Sequence, residues 1–201
     1  MQKYNKIIIG IDESYKRTGI SIVADGKIKS INSIDFQKIK TNSEKRKILR
    51  EKLENLIIKL KSRAKEIIII VERIRLHSAG FISEDYIKSI GALIAVIVDT
   101  AYEYGISVYS VDTRAWKSKI VGTTKAENNN LYIDPKKYPT IKFLINKGYT
   151  DKIKAYLPEN TKIKNYLKDK KGKYLYNDDA ADSACIAMYG FSKDPKLIAE
   201  H

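Results

Sequence analysis

The sequence predicts an α/β protein built on a mixed five-stranded sheet, three antiparallel strands followed by parallel ones, with helices on its faces. Three observations carry this. Residues 7–35 read as three short strands in succession. Residues 41–121 then alternate helical and strand patterns. A last amphipathic segment, residues 178–190, is rich in small residues. Strands that precede alternating helices and strands are the signature of a layered α/β arrangement.

The first strand, residues 7–12, is IIIGID, a β-branched run that stops at Asp12. Residues 18–24 (TGISIVA) form a second, and Asp25-Gly26 is a hairpin turn signal. Residues 27–35 (KIKSINSID) alternate apolar and polar, as a third strand does. A helix is predicted over 41–65, opened by a Thr41/Glu44 capping box, with Leu49, Leu53, Leu56 and Leu60 on one stripe. Residues 67–72 (IIIIVE) read as a strand buried on both faces and ending in Glu72. A second helix runs over about 83–104, with Ser83 as N-cap and Gly105 as its stop. Its interior is apolar nearly all round, which suits burial or an interface. Residues 107–111 form the fifth strand and 113–121 a short helix over which Trp116 anchors the core.

From 122 to 176 the pattern weakens. Residues 136–176 hold 12 lysines against Asp151, Glu159 and Asp169, a net 12 − 3 = +9, with six tyrosines among them. We read the whole chain, 1–201, as one domain carrying a Lys/Tyr-rich insertion at about 124–176.

Composition narrows the function. With 43% hydrophobic residues the chain can bury a core and is not a disordered protein. No apolar run reaches bilayer length and residues 1–6 lack a secretory core, so no membrane role and a cytoplasmic location are expected. Cys185 is the one cysteine and His77 and His201 are the two histidines, which excludes thiolate zinc clusters and His-rich metal sites. A catalytic metal would need carboxylates, and those suit Mg²⁺ or Mn²⁺. Lys plus Arg is 38 and Asp plus Glu 24, giving 38 − 24 = +14, the footprint of a polyanion binder. Lysine outnumbers arginine, so phosphate contact is favoured over base readout.

Four acids stand where chemistry could use them. Asp12 and Glu72 end two strands, and Asp179 and Asp182 are three apart on the last helix and share a face. Carboxylates drawn together repel and lose hydration, and bound cations offset both costs. Two divalent ions about 4 Å apart need such a set. Asp178 and Asp179 could equally be first-turn acids facing the helix dipole, so the choice of ligand among the helix acids stays open.

These residues resemble a family. GIDESYKRTGISIV (residues 10–23), the strand ending in Glu72, the apolar helix around Gly91, VYSVDTRAWKSKIVG (108–122) and DAAD (179–182) follow the order found in RuvC-type Holliday junction resolvases, members of the RNase H-like superfamily. The likeness covers 6–123 and 177–191. It implies an RNase H-like fold and catalytic, metal-ligating roles for Asp12, Glu72, Asp179 and Asp182. It implies two Mg²⁺ or Mn²⁺ ions and hydrolysis of phosphodiester bonds in four-way or otherwise branched DNA. It also implies a homodimer formed through the helix 83–104. Where the family places an aromatic after the strand acid, this chain has Arg73, and Phe81 in the next loop could stack on bases instead. Lys117 and Lys119 fall near the family's junction-contacting lysines, and Lys125 opens the basic segment. The long Lys-rich insertion resembles phage members, which extends the expected location to a bacterial cell or a phage-infected host.

Two other functions use the same residues: a nuclease of RNA or RNA–DNA hybrids, and a non-catalytic binder of branched DNA. An actin-like ATP-binding role is disfavoured, because ESYKRTG lacks a glycine-rich phosphate cradle.

Overall fold

The computed structural model describes residues 3–73, 84–128, 134–156 and 174–200. Strands β1 (Tyr4–Asp12), β2 (Arg17–Ala24) and β3 (Lys27–Asp35) form an antiparallel meander. Its second turn places Asp25 and Gly26 at φ 47° and 76°, the left-handed pair that a two-residue hairpin requires. Helix α1 (Asn42–Lys61) leads to β4 (Ala64–Glu72), which lies parallel to β1. Helix α2 (Glu84–Glu103) leads to β5 (Ser107–Val111), parallel to β4.

The sheet has six strands rather than five. Its order is β3-β2-β1-β4-β5-β8, where β8 (Ile198–Glu200) returns antiparallel to β5. Three residues are too few to show a strand period, which is why the sequence does not announce it. α1 is shorter than expected and stops at Lys61, leaving room for β4 to begin at Ala64. Half of the expected capping box forms: Thr41 Oγ1 accepts the Glu44 N–H at 3.2 Å, while the Glu44 carboxylate accepts from the Thr41 hydroxyl at 2.9 Å. The buried stripe is Leu49, Leu53, Ile57 and Leu60, with Ile57 taking the place expected of Leu56, which is half-buried. α2 buries Ile90, Leu93, Ile97, Thr100 and Ala101, while Gly91, Ala95, Asp99 and Tyr102 face outward. It is therefore amphipathic, not buried all round. Ser83 lies outside the described residues. Among the described residues no helix is long and apolar enough to cross a membrane.

Residues 113–121 are not one helix. α3 (Thr113–Trp116) passes into a π-helical turn, Lys117–Val121, closed by Gly122 at φ 85° with its N–H on the Lys117 carbonyl. The basic insertion contains α4 (Tyr138–Asn146), α5 (Thr150–Ile153) and a strand pair, β6 (Lys154–Tyr156) with β7 (Tyr174–Tyr176). Ile141, Leu144 and Ile153 anchor it in the core. α6 (Asp178–Tyr189) follows.

Alternation along β1 divides the core. Ile7, Ile9 and Ile11 pack with α1 and α2, and Ile8 packs with α6, Trp116 and α4. Each buried isoleucine contributes roughly 1.5–3 kcal/mol. α6 lies directly on the first hairpin. A Cβ on Gly10 would sit 2.1 Å from the Ser183 carbonyl oxygen, and one on Gly19 would sit 2.0 Å from that of Asp179. Ala180, Ala184 and Ala187 keep the helix side of this contact equally small and are fully buried. Ser21 Oγ joins it at 2.7 Å to Ser183 Oγ.

Candidate active site

The close approach of α6 decides where its acids stand. Asp12 ends β1 and pairs in register with Gly19, whose missing side chain admits the backbone of Asp179. Ile11 is level with Val71 on the parallel neighbour, so Asp12 and Glu72 come next, side by side. Asn177 caps α6 by accepting the Ala180 N–H at 3.0 Å, and its own amide donates to Ser33 Oγ at 2.6 Å. Asn177 is thus the N-cap, and both Asp178 and Asp179 stand in the first turn.

The four acids are close enough to perturb one another. Burial holds the Asp12 carboxyl well above the usual carboxylate range, and the charges of Asp182 and Glu72 push it further. Burial also raises Glu72, with Asp182 adding to the effect. Asp179 is pushed up to about 7 by burial and then by Asp178. Glu72 is fixed at both oxygens: Thr113 Oγ1 donates to Oε1 at 2.7 Å and Trp116 Nε1 to Oε2 at 2.9 Å. Trp116 is thus the expected core anchor, fully buried, and also a donor that orients an acid.

A cation from the insertion stands among them. Lys137, the residue before α4, places Nζ 3.1 Å from Asp182 Oδ2 and 3.4 Å from Asp178 Oδ2. Asp182 leads the acids that raise its pKa. Lys117 Nζ is 4.0 Å from the same Asp182 oxygen. Asp182 is 3% exposed, and its other oxygen, Oδ1, is buried with no hydrogen-bond partner.

The donor set is all oxygen and suits a hard divalent cation, and the orphaned Asp182 Oδ1 is the kind of atom such an ion satisfies. Among the described residues, however, no three acids surround a common point as ligands of a bound ion would. The Lys137 ammonium already engages two of the helix acids, and a metal would compete with it.

No protein-family model matches the chain, and no curated protein does. Among solved structures, Thermus thermophilus RuvC in complex with a Holliday junction substrate superposes with TM-score 0.61 at 13% identity, over 96% of this chain and 99% of that one. T. thermophilus RuvC by itself gives 0.60 at 14% identity over the same shares. The chain has the RNase H-like fold of RuvC. Ydc2, a yeast mitochondrial Holliday junction resolvase, superposes more loosely, with TM-score 0.48 at 15% identity over 94% of this chain and 78% of that one. At these identities the likeness concerns the fold.

On that fold, Asp12, Glu72, Asp179 and Asp182 lie near enough for their charges to raise the pKa values of Asp12, Glu72 and Asp179 without surrounding a common point, and Lys117 Nζ stands 4.0 Å from Asp182 Oδ2. Lys119 and Lys125 are exposed, and among the described residues no ion pair joins either of them to these acids. Arg73 is exposed and donates its backbone N–H to the Val111 carbonyl at 2.8 Å. Phe81 and His77 lie outside the described residues. Sequence reasoning missed Lys137, one lysine among the twelve of residues 136–176. It also missed Glu13, a 9% exposed acid beside Asp12 whose Oε2 has no hydrogen-bond partner and whose pKa is raised, chiefly by burial. An acid immediately after Asp12 was the available signal for Glu13, but it reads as an ordinary loop residue.

Proposed function

We propose that this protein is a divalent-metal-dependent endonuclease that cuts branched DNA, four-way junctions above all, by phosphodiester hydrolysis. One observation carries the reading. Acids from three segments far apart in sequence meet at the ends of the central strands of a RuvC-like fold, in surroundings that disfavour their charge. A pocket whose carboxylates are held above their normal pKa by burial and repulsion is one that binding of a cation would relieve.

Asp12, Glu72, Asp179 and Asp182 would hold Mg²⁺ or Mn²⁺, two ions at full loading. When bound, such ions activate a water and stabilise the leaving 3′ oxygen. The protein's own contribution is positional. Thr113 and Trp116 fix both oxygens of Glu72, and the cap at Asn177 fixes the first turn of α6. Lys117 and Lys137 bring positive charge to the point where a phosphate would enter, and Lys119, Lys125, Arg73 and Phe81 would extend the nucleic-acid surface. The net charge of +14 supports a polyanionic substrate.

Two cuts in one junction call for two active sites, so a homodimer belongs to the reading. Helix α2 would supply the contact. Its outward face carries Gly91, Ala95, Asp99 and Tyr102, of which the small Gly91 and Ala95 would let a second helix approach closely, and Tyr102 is 83% exposed.

The test compares four-way, three-way, single-stranded and duplex DNA and an RNA–DNA hybrid, each with Mg²⁺ or Mn²⁺. Paired cuts in the four-way substrate are expected. Cutting of the hybrid alone would replace the substrate assignment, and metal-dependent cutting of none of them would leave a DNA binder.

A further inference from the structure

Away from the acids, three lysines gather, and among the described residues no carboxylate pairs with any of them. Lys29 Nζ lies 5.2 Å from the centroid of the Tyr4 ring, and Lys3 Nζ lies 5.6 Å from the same centroid. Lys152 donates Nζ to the Lys29 carbonyl at 3.4 Å and stands 5.5 Å from the Tyr149 ring. The three come from the residue before β1, from edge strand β3 and from α5, and all are exposed. The carboxylates that flank them are engaged elsewhere. Asp25 accepts the backbone N–H groups of Asn5 and Lys6, Asp151 pairs with Lys154, and Glu66 pairs with Lys6. Among the described residues none of the three lysines forms an ion pair.

Collecting three ammonium groups costs repulsion that two tyrosine faces offset only in part. A partner with several closely spaced negative charges offsets the rest. Position narrows the choice of partner. Tyr4 opens β1 and Asp12 ends it, so the patch lies about 26 Å from the acids at roughly 3.3 Å per residue. A duplex advances about 3.4 Å per base pair, so that distance is about eight base pairs.

We infer that Lys3, Lys29 and Lys152 form a second phosphate-binding surface, which holds the backbone of a duplex arm about eight base pairs from the point of cleavage. This rests on the reading of the acidic site as a branched-DNA nuclease. Lysines offer point charges without a planar fork, so the contact is to backbone and independent of sequence. It gives each protomer a second hold on one arm, and junctions with long arms bind more tightly than those with short ones.

The test measures binding by fluorescence anisotropy without divalent metal, so that nothing is cut. Four-way junctions with arms of about 6 and about 16 base pairs are compared, one too short and one long enough to reach the patch. The triple variant K3Q/K29Q/K152Q is set against the parent protein and against K3R/K29R/K152R. The glutamine variant is expected to bind the long-armed junction roughly tenfold more weakly, with a log–log salt slope shallower by about two to three. The short-armed junction is expected to bind both proteins alike, and the arginine variant to behave as the parent. Equal weakening on both junctions, or no weakening on either, overturns the inference. Failure of the parent protein to bind any junction removes the nuclease reading and this surface with it. Unchanged melting temperature shows that the variants are folded.

Discussion

The Lys137 ammonium lies 3.1 Å from Asp182 Oδ2, so an internal cation occupies an acid that the proposed chemistry assigns to a metal. Competition for that oxygen follows. Lys137→Met is expected to strengthen Mn²⁺ binding in the DNA-free protein about tenfold, the equivalent of about 1.4 kcal/mol. Mn²⁺ titration followed by electron paramagnetic resonance measures this directly. Unchanged or weaker binding would show that the lysine and the ion do not share a ligand.

Asp12→Asn removes one of the mutually repelling acids while keeping its shape. Cleavage is expected to fall by about 10³-fold, a loss typical of a removed transition-state contact, with junction binding retained. The metal-free protein should also become more stable, because a buried charge and its repulsion by Asp182 and Glu72 are gone. A gain of about 1 kcal/mol would raise the melting temperature by about 2–4 °C. A lower melting temperature would mean that Asp12 is needed for folding rather than strained by it.

Gly19→Ala tests the helix contact. The new Cβ would stand 2.0 Å from the Asp179 carbonyl oxygen, so strand or helix must shift. Overpacking of this kind costs about 1–3 kcal/mol, and a melting point lower by about 2–10 °C is expected. Cleavage should fall further than stability alone explains, since Asp179 moves with its backbone. Normal activity and stability in this variant would contradict the packing described.

The raised acids also set a pH dependence. An unfolded aspartate titrates near 3.8, whereas Asp179 in the fold is pushed up to about 7 by burial and then by Asp178. Between those values the folded chain holds a proton that the unfolded chain has lost. Stability is therefore full below about pH 4 for this group, falls as pH rises toward 7, and is level above it. Asp12 and Glu72 are shifted in the same direction. The metal-free protein should melt several degrees higher at pH 5 than at pH 7.5, and saturating Mg²⁺ should narrow the difference. A melting point that rises over this range in the metal-free protein would contradict the burial assigned to these acids.

Much of this was legible in the sequence, for definite reasons. Asp12 and Glu72 follow β-branched runs that can only be buried strands, so their placement at strand ends follows from the pattern. Asp179 and Asp182 follow from helical spacing. Lys137 did not, because its position depends on how α4 docks through Ile141 and Leu144, a tertiary event that local pattern does not encode. The donor role of Trp116 was hidden for a similar reason. Its indole direction is set where α3 gives way to a π-helical turn, and nothing in WKSKIVG distinguishes that turn from ordinary helix. The shift from Leu56 to Ile57 on α1 is a one-residue phase error, within the tolerance of a 3.6-residue period.

The seating of α6 against Gly10 and Gly19 has a consequence for the timing of biosynthesis. Asp182 is translated 170 residues after Asp12 (182 − 12) and reaches it only when α6 docks. Strands β1 to β5 precede α6 in the chain and can pair before it docks, whereas β8 follows it. On the proposed reading, a nascent chain therefore carries an incomplete set of acids and would become competent to cut only when α6 closes the fold.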